Sequence, residues 1–447
     1  MKDKFLFSNL DIRKLLMPLI VEQLLASLMG TVDTIMVGNV GAAAMSAVSL
    51  VDSINILAIQ AFSALATGGT IVCSQYIGKK NEKMANRAAQ QVILTVAVIS
   101  IAVMMFCLVF RRPLLRGTFG AVEQDVMDAS LIYFFLTALS FPFIALYNAG
   151  AAIYRAQGIS GKPMVISVIS NLCNVVGNAL FIWVFHLGVT GVALATLLSR
   201  ILCAVVVFGQ LRKPLQPIVI RGYRHFRPDF GLIGKVLAIG VPSGIENSMF
   251  QFGKLVIQST VSTMGTMAIA AQAMTNMMEN LNGVAAVGTG IGLMTVVGQC
   301  LGAGQKEQAV YYIKKFLVIG EVVMTLSCLT VYALVRPITI LAGMETESAA
   351  LCVSMVGAIT IFKPLFWIPS FLTAYGMRAA GDVKFSMIVS TLTMWLCRVS
   401  LCVFLVKFFH MGPMAVWWGM FADWGIRAVI FSLRFRSRKW LDHKVIA

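Results

Sequence analysis

The chain repeats itself at an offset of 224 residues. Pro18 and Glu22 recur as Pro242 and Glu246, and Gly41 recurs as Gly265. Gln75 and Gly78 recur as Gln299 and Gly302, and Arg112 and Pro113 as Arg336 and Pro337. The register holds without a gap from residue 18 to residue 113, then slips to 223 at Arg155 and Arg378. A repeat of this period bounds fold and mechanism together, because two similar halves leave an interface between them.

What the halves consist of follows from composition. Apolar residues make up 58% and charged residues 12%, against about 25% charged in a soluble domain. Such a chain cannot keep a wet surface and is read as an integral membrane protein. Twelve apolar stretches are each long enough to span about 30 Å of hydrocarbon. They fall near residues 15–38, 44–72, 89–110, 130–152, 164–186 and 191–211, then 235–262, 268–297, 313–335, 351–376, 385–408 and 414–433. The segment 212–228 breaks the pattern with Pro214, Pro217, Pro228 and five basic residues. It reads as a cytoplasmic linker between a first six-helix bundle, 1–211, and a second, 229–447. The expected class is all-α. The nine Cys show no metal or disulfide spacing and read as small buried hydrophobes.

The net charge of +17 sorts by side of the membrane rather than marking nucleic acid. With the N-terminus placed in the cytoplasm, 26 of the 36 Lys and Arg lie on the cytoplasmic side, five in outer loops and five within spans. This asymmetry orients the chain with both termini cytoplasmic, in a cell membrane. Six helices per half is an even number, so the two repeats run parallel. Rocking one bundle against the other would expose a cleft to alternate sides, which describes a secondary transporter. No Walker A pattern supplies a nucleotide motor, and no Ser-His-Asp order or His pair suggests an enzyme or a metal centre. The drive is then an ion gradient or substrate flow. No cofactor is expected, and the expected working unit is a monomer.

Charges inside spans mark function, since each costs about 2.5–3.5 kcal/mol at the bilayer centre. The first half holds Glu22, Asp33, Asp52 and Arg200, a net of −2. The second holds Glu246, Lys254, Glu279, Glu321, Lys363, Arg398, Asp423 and Arg427, a net of zero. A carboxylate without a counter-charge is neutralised by a proton or by a cation, so the first half is the candidate for coupling. Asp33, in Gly30-Thr31-Val32-Asp33-Thr34, is its sharpest residue, and the metal ligand if the ion is Na⁺. The alternative is a hydrogen bond to a neighbouring helix. Glu22 and Glu246 each follow a helix Pro by four residues, which fits either ion contact or the satisfaction of a freed carbonyl. Asp52 and Asn55 correspond to Asn276 and Glu279, one acid and one Asn per half in opposite order. They line a cavity or bond between helices. Asn171, Asn174 and Asn178 form a stripe facing protein or water. Lys254, Lys363, Arg398 and Arg427 either pair with second-half acids or form an anion-recognising pocket.

Particular motifs resemble a known family. Met29 to Gly38, then Gly41 and Ala47-Val48, resembles the helix 1–2 signature of the multidrug and toxic compound extrusion (MATE) family. Gln75-Tyr76-Ile77-Gly78 and Gln299-Cys300-Leu301-Gly302 look like its paired segments after helices 2 and 8. Tyr154 to Gly158 and Met377 to Asp382 are similar to its motifs after helices 4 and 10. The resemblance covers nearly the whole chain. It implies an antiporter that exports amphipathic, often cationic, small molecules in exchange for H⁺ or Na⁺, with coupling at Asp33. The alternative within the wider superfamily is a flippase for a lipid-linked precursor. This chain departs from the pattern in three places. The helix 5 acid of some members falls on Asn178. The frequent helix 7 acid falls near Phe250 or Gln251. The helix 10 acid of some Na⁺-coupled members has no match, and Lys363 lies in that helix.

Overall fold

The computed structural model describes residues 5–120, 123–214, 216–220 and 227–446, without the side chains of residues 29–31, 33–34, 42 and 119. Among the described residues, twelve helices reach membrane length. They are α1 (Asn9–Gly38), α2 (Ala42–Gly78), α3 (Glu82–Val109), α4 (Gln124–Ala156), α5 (Gly161–Val184) and α6 (Gly188–Leu211). The second set is α7 (Phe230–Ser262), α8 (Thr266–Gly302), α9 (Lys306–Leu341), α10 (Thr346–Ala380), α11 (Val383–Phe409) and α12 (Met414–Arg436). A short helix, Arg111–Phe119, follows α3. Helices are forced here because hydrocarbon offers the backbone no hydrogen-bond partner.

Each expected span falls on one of these helices, which run further at their polar ends. Among the described residues, nine are long and apolar enough to cross a membrane by length and composition. In α7 the residues Glu246, Asn247, Gln251 and Lys254 lower the apolarity, and in α12 Asp423 and Arg427 do so.

Local chemistry sets the helix starts. Ser8 and Asp11 cap α1 reciprocally: the Asp11 backbone N–H donates to Ser8 Oγ at 3.2 Å, and the Ser8 N–H donates to Asp11 Oδ2 at 2.8 Å. Asn81 caps α3 through Met84 N at 3.0 Å, and Asp229 caps α7 by accepting from Gly231 and Leu232. Three helices contain a π-helical turn: Leu180–Val184 in α5, Ile368–Leu372 in α10 and Met394–Val399 in α11.

The repeat is written into the backbone. Gly41 before α2 and Gly265 before α8 both have positive φ, 138° and 94°. His186 and His410, 224 residues apart, both sit at φ 51°. Left-handed backbone is uncommon outside glycine, so its recurrence at one offset reports a duplicated turn geometry.

Packing divides the chain into two compact units, Leu25–Gly244 and Met1–Leu24 with Ile245–Ala447. The halves expected from chain order describe the repeat, whereas these units describe packing. Helices α1 and α7 each change unit midway, a few residues beyond Pro18 and Pro242.

Within the Leu25–Gly244 unit, α7 begins against α2. A Cβ on Gly68 would lie 2.5 Å from the Val236 carbonyl and 3.1 Å from the Gly240 nitrogen, so only glycine permits this crossing. The described part of the linker is fastened to the same unit. The Ile218 and Val219 N–H groups donate to Gln157 Oε1 at 3.1 Å and Asn86 Oδ1 at 2.9 Å. Ile218 and Ile220 are fully buried. Gln91 then accepts from Asp229 N at 3.0 Å and donates to the Arg227 carbonyl at 2.9 Å.

The other unit uses the same devices. The start of α1 crosses α8 where a Cβ on Gly288 would meet Ile20 backbone at 3.1 Å. The tail after α12 docks on the corner between α10 and α11. There Asp382 accepts from Arg434 Nε at 2.9 Å and lies 3.2 Å from His443 Nε2, and Trp440 is buried.

Candidate functional site

Five of the sequence-predicted residues fall in two polar groups, one in each unit: Asp52 and Asn55 in the first, Lys254, Glu279 and Arg398 in the second. The first lies between α2, α4 and α6. Asp52 is half-buried; its Oδ1 accepts from Asn55 Nδ2 at 3.0 Å and from Tyr133 Oη at 3.2 Å. Thr137 donates to Asn55 Oδ1 at 3.4 Å, and Arg200 Nη1 donates to Ser140 Oγ at 2.7 Å. Spacing explains the arrangement: Asp52 and Asn55 share a face of α2, as Tyr133, Thr137 and Ser140 share a face of α4. Pro142, just after Ser140, breaks α4 at that level. Along α5 and α6, Asn178 Nδ2 donates to Asn174 Oδ1 at 3.3 Å, and Asn174 Nδ2 to Thr196 Oγ1 at 3.4 Å. The asparagine stripe therefore serves at least as an interhelical contact. Asp33 lies on the α1 backbone, and its side chain is outside the described residues. Glu22, on the same helix, is buried.

The second group is built from α7, α8, α10, α11 and α12. Lys363 is buried in α10, beside Pro364. Its Nζ pairs with Glu279 and donates to the Glu279 carbonyl at 2.8 Å and to Asn282 Oδ1 at 2.6 Å. Arg398 and Arg427 converge on Asp423. Arg398 Nη2 lies 2.6 Å from Oδ2, while Arg427 makes a two-pronged contact with 3.0 Å to each oxygen. All three side chains are buried. Attraction offsets the large cost of dehydrating such charges only with this near-ideal geometry.

Aromatic faces complete the group. The Phe250 ring centre is 5.5 Å from Arg398 Cζ and 4.8 Å from Arg427 Cζ; the Phe371 ring is 4.5 Å from Arg427 Cζ. At Phe250, one of the two positions near which the resemblance places a helix 7 acid, a ring face meets the cations.

The balance read from the sequence is not local. Glu246 is held by Arg378 at 2.6 Å, a residue of the motif after helix 10. Among the described residues no charged group acts on Glu321. Lys254 is exposed and forms no ion pair among the described residues; the charges acting on it there are Glu279, Arg398 and Lys363. The cluster proper therefore holds four cations against two carboxylates. Lys254, Glu279 and Arg398 belong to it; Glu246 does not.

Asn282 and Phe250 had not been singled out for these roles. Asn282 stands three residues after Glu279 on α8, so helical spacing alone places it on the same face. Phe250 was marked only by its nearness to the missing helix 7 acid, which gives no sign of a ring face against two guanidiniums.

With this geometry in place, likeness to known proteins takes on meaning. The chain is 27% identical over 438 residues to an uncharacterized transporter, YisQ, of Bacillus subtilis, covering 95% of this chain and 93% of the relative. It is 25% identical over 451 residues to a probable multidrug resistance protein, NorM, of Thermotoga maritima, covering 98% and 94%. Its fold superposes on the outward-facing structure of a multidrug resistance MATE family transporter of the MOP superfamily with a TM-score of 0.87. That match has 19% identity and covers 96% of this chain and 95% of the other. The MatE family profile matches residues 18–180 and again 242–404, two segments exactly one repeat apart. The chain belongs to the MatE family, with the family's twelve-helix, two-bundle fold.

Proposed function

We propose that the chain is a secondary active antiporter that exports amphipathic small molecules across the cell membrane in exchange for H⁺ or Na⁺. Membership of the MatE family, on both repeats, is the observation that carries this reading. The names of relatives support it: probable multidrug resistance proteins occur among those matching nearly the whole chain. So does the chemistry, with polar and charged side chains held on membrane helices and no nucleotide motif to drive them. The 26-to-5 distribution of basic residues supports cytoplasmic termini. The working unit is a monomer, with the two repeats supplying the pseudo-symmetry that other proteins gain by assembly.

Coupling is assigned to Asp33, in the half whose membrane charges net −2. Protonation or Na⁺ capture neutralises that carboxylate, and release restores it. Asp52, Asn55, Asn174 and Asn178 are the candidate ligand contacts in the same half.

Reconstitution tests the reading. Proteoliposomes loaded with an ethidium-like dye are given a pH gradient or a Na⁺ gradient separately. Dye movement under one gradient and none without a gradient is the expected result. Equal movement with and without a gradient would refute antiport.

A further inference from the structure

We infer that the charge cluster of the Ile245–Ala447 unit is a binding site for an aromatic compound bearing an acidic group. This goes beyond the antiport reading, which leaves the substrate's charge open and rests on Asp33 in the other unit.

Three independent observations converge. The first is charge. Lys254, Lys363, Arg398 and Arg427 face Glu279 and Asp423, an excess of two positive charges. Asp423 is shared by two guanidiniums, and Glu279 is engaged by Lys363. Lys254 is left exposed, with no ion pair among the described residues. Charged side chains on membrane helices face the protein interior or a water-filled cavity rather than lipid, and Lys254 is the cluster's exposed cation.

The second is hydrogen bonding. Among the described residues, the cluster's two buried polar atoms without a partner are Arg398 Nε and Asn282 Nδ2. Both are N–H donors, and a buried donor left unmade is costly. The spare capacity of the site is thus for an acceptor, and the excess charge asks for an anionic one.

The third is the backbone. Arg398 sits in the π-helical turn Met394–Val399, and Phe371 in the turn Ile368–Leu372. Such turns are rare and recur at functional sites. These two deliver a guanidinium and a half-buried ring to the same cluster. Phe250, also half-buried, has its ring centre 6.4 Å from that of Phe371. Flat apolar faces beside spare cationic donors select an aromatic body with an acidic head.

The test uses the purified full-length protein in detergent, with no gradient, so its outcome is separate from that of the export assay. Calorimetric titration compares 2-naphthoate with 2-naphthamide, which share a ring system and differ in charge. The acid is expected to bind about ten-fold or more tightly than the amide, the size of one charge-assisted hydrogen bond. Lys254→Gln, which touches no buried pair, is expected to weaken naphthoate binding about ten-fold, and Lys254→Arg to restore it. Equal affinity for acid and amide, or unchanged affinity in Lys254→Gln, overturns the proposal. An anionic lipid head is the other source of this chemistry. Displacement of naphthoate by an equal concentration of dioctanoyl phosphatidylglycerol would assign the site to lipid and overturn the small-molecule reading.

Discussion

Arg427 grips Asp423 one turn away on α12 with two nitrogens, each 3.0 Å from a different carboxylate oxygen. Arg398 reaches the same carboxylate from α11. One acid is thus shared by two buried cations.

Asp423→Asn should therefore be among the most damaging single changes. It leaves two guanidiniums buried against an amide, and breaking a buried pair costs about 3–5 kcal/mol. Thermal unfolding in detergent should show a large drop in midpoint. A midpoint within a degree or two of the parent would mean that water already compensates these charges.

Glu246 and Arg378 should behave as one unit. Only Oε1 is engaged; Oε2 is buried without a hydrogen-bond partner. Glu246→Gln and Arg378→Gln are each expected to destabilise, and the double variant by less than their sum. A coupling of about 1–3 kcal/mol in a double-mutant cycle is expected. Strict additivity would show that the ion pair carries no energy.

The linker should be released by one amide. Gln157→Ala removes the acceptor for the Ile218 N–H. Limited proteolysis is expected to cut residues 216–220 faster in the variant. Asp382→Ala should do the same for the tail beyond α12, by freeing Arg434 and His443. Unchanged cleavage in both would mean that burial of Ile218, Ile220 and Trp440 suffices.

The crossing at Gly68 should refuse even one methyl. Gly68→Ala places a Cβ 2.5 Å from the Val236 carbonyl, and overpacking of this kind costs about 1–3 kcal/mol. Gly209→Ala meets nothing within 4 Å and should be neutral or mildly stabilising in thermal unfolding. Equal effects of the two would contradict the close packing of α2 on α7.

How far these relationships could be read beforehand depends on their range. The helices were legible because apolarity extends over whole spans, and the repeat because Pro, Gly, Gln and Arg recur at one offset. Two things were not legible. Helices α1 and α7 change packing unit midway; Pro18 and Pro242 stand nearby, but a helix proline does not say that packing changes there. The distribution of second-half charges was also hidden. A sum of zero concealed that Glu246 pairs with Arg378 while four cations share two acids, because partner choice is set by tertiary contacts across 84 and 132 residues of sequence. The missing acid near Phe250 or Gln251 was visible, but the placing of the Phe250 ring against Arg398 and Arg427 required the fold.

The central claim is that export is driven through Asp33. The direct measurement is gradient-driven dye export by Asp33→Asn in proteoliposomes, alongside the parent at matched protein content. The account predicts that the variant inserts normally and that gradient-driven export is abolished. Export at the parental rate would contradict it.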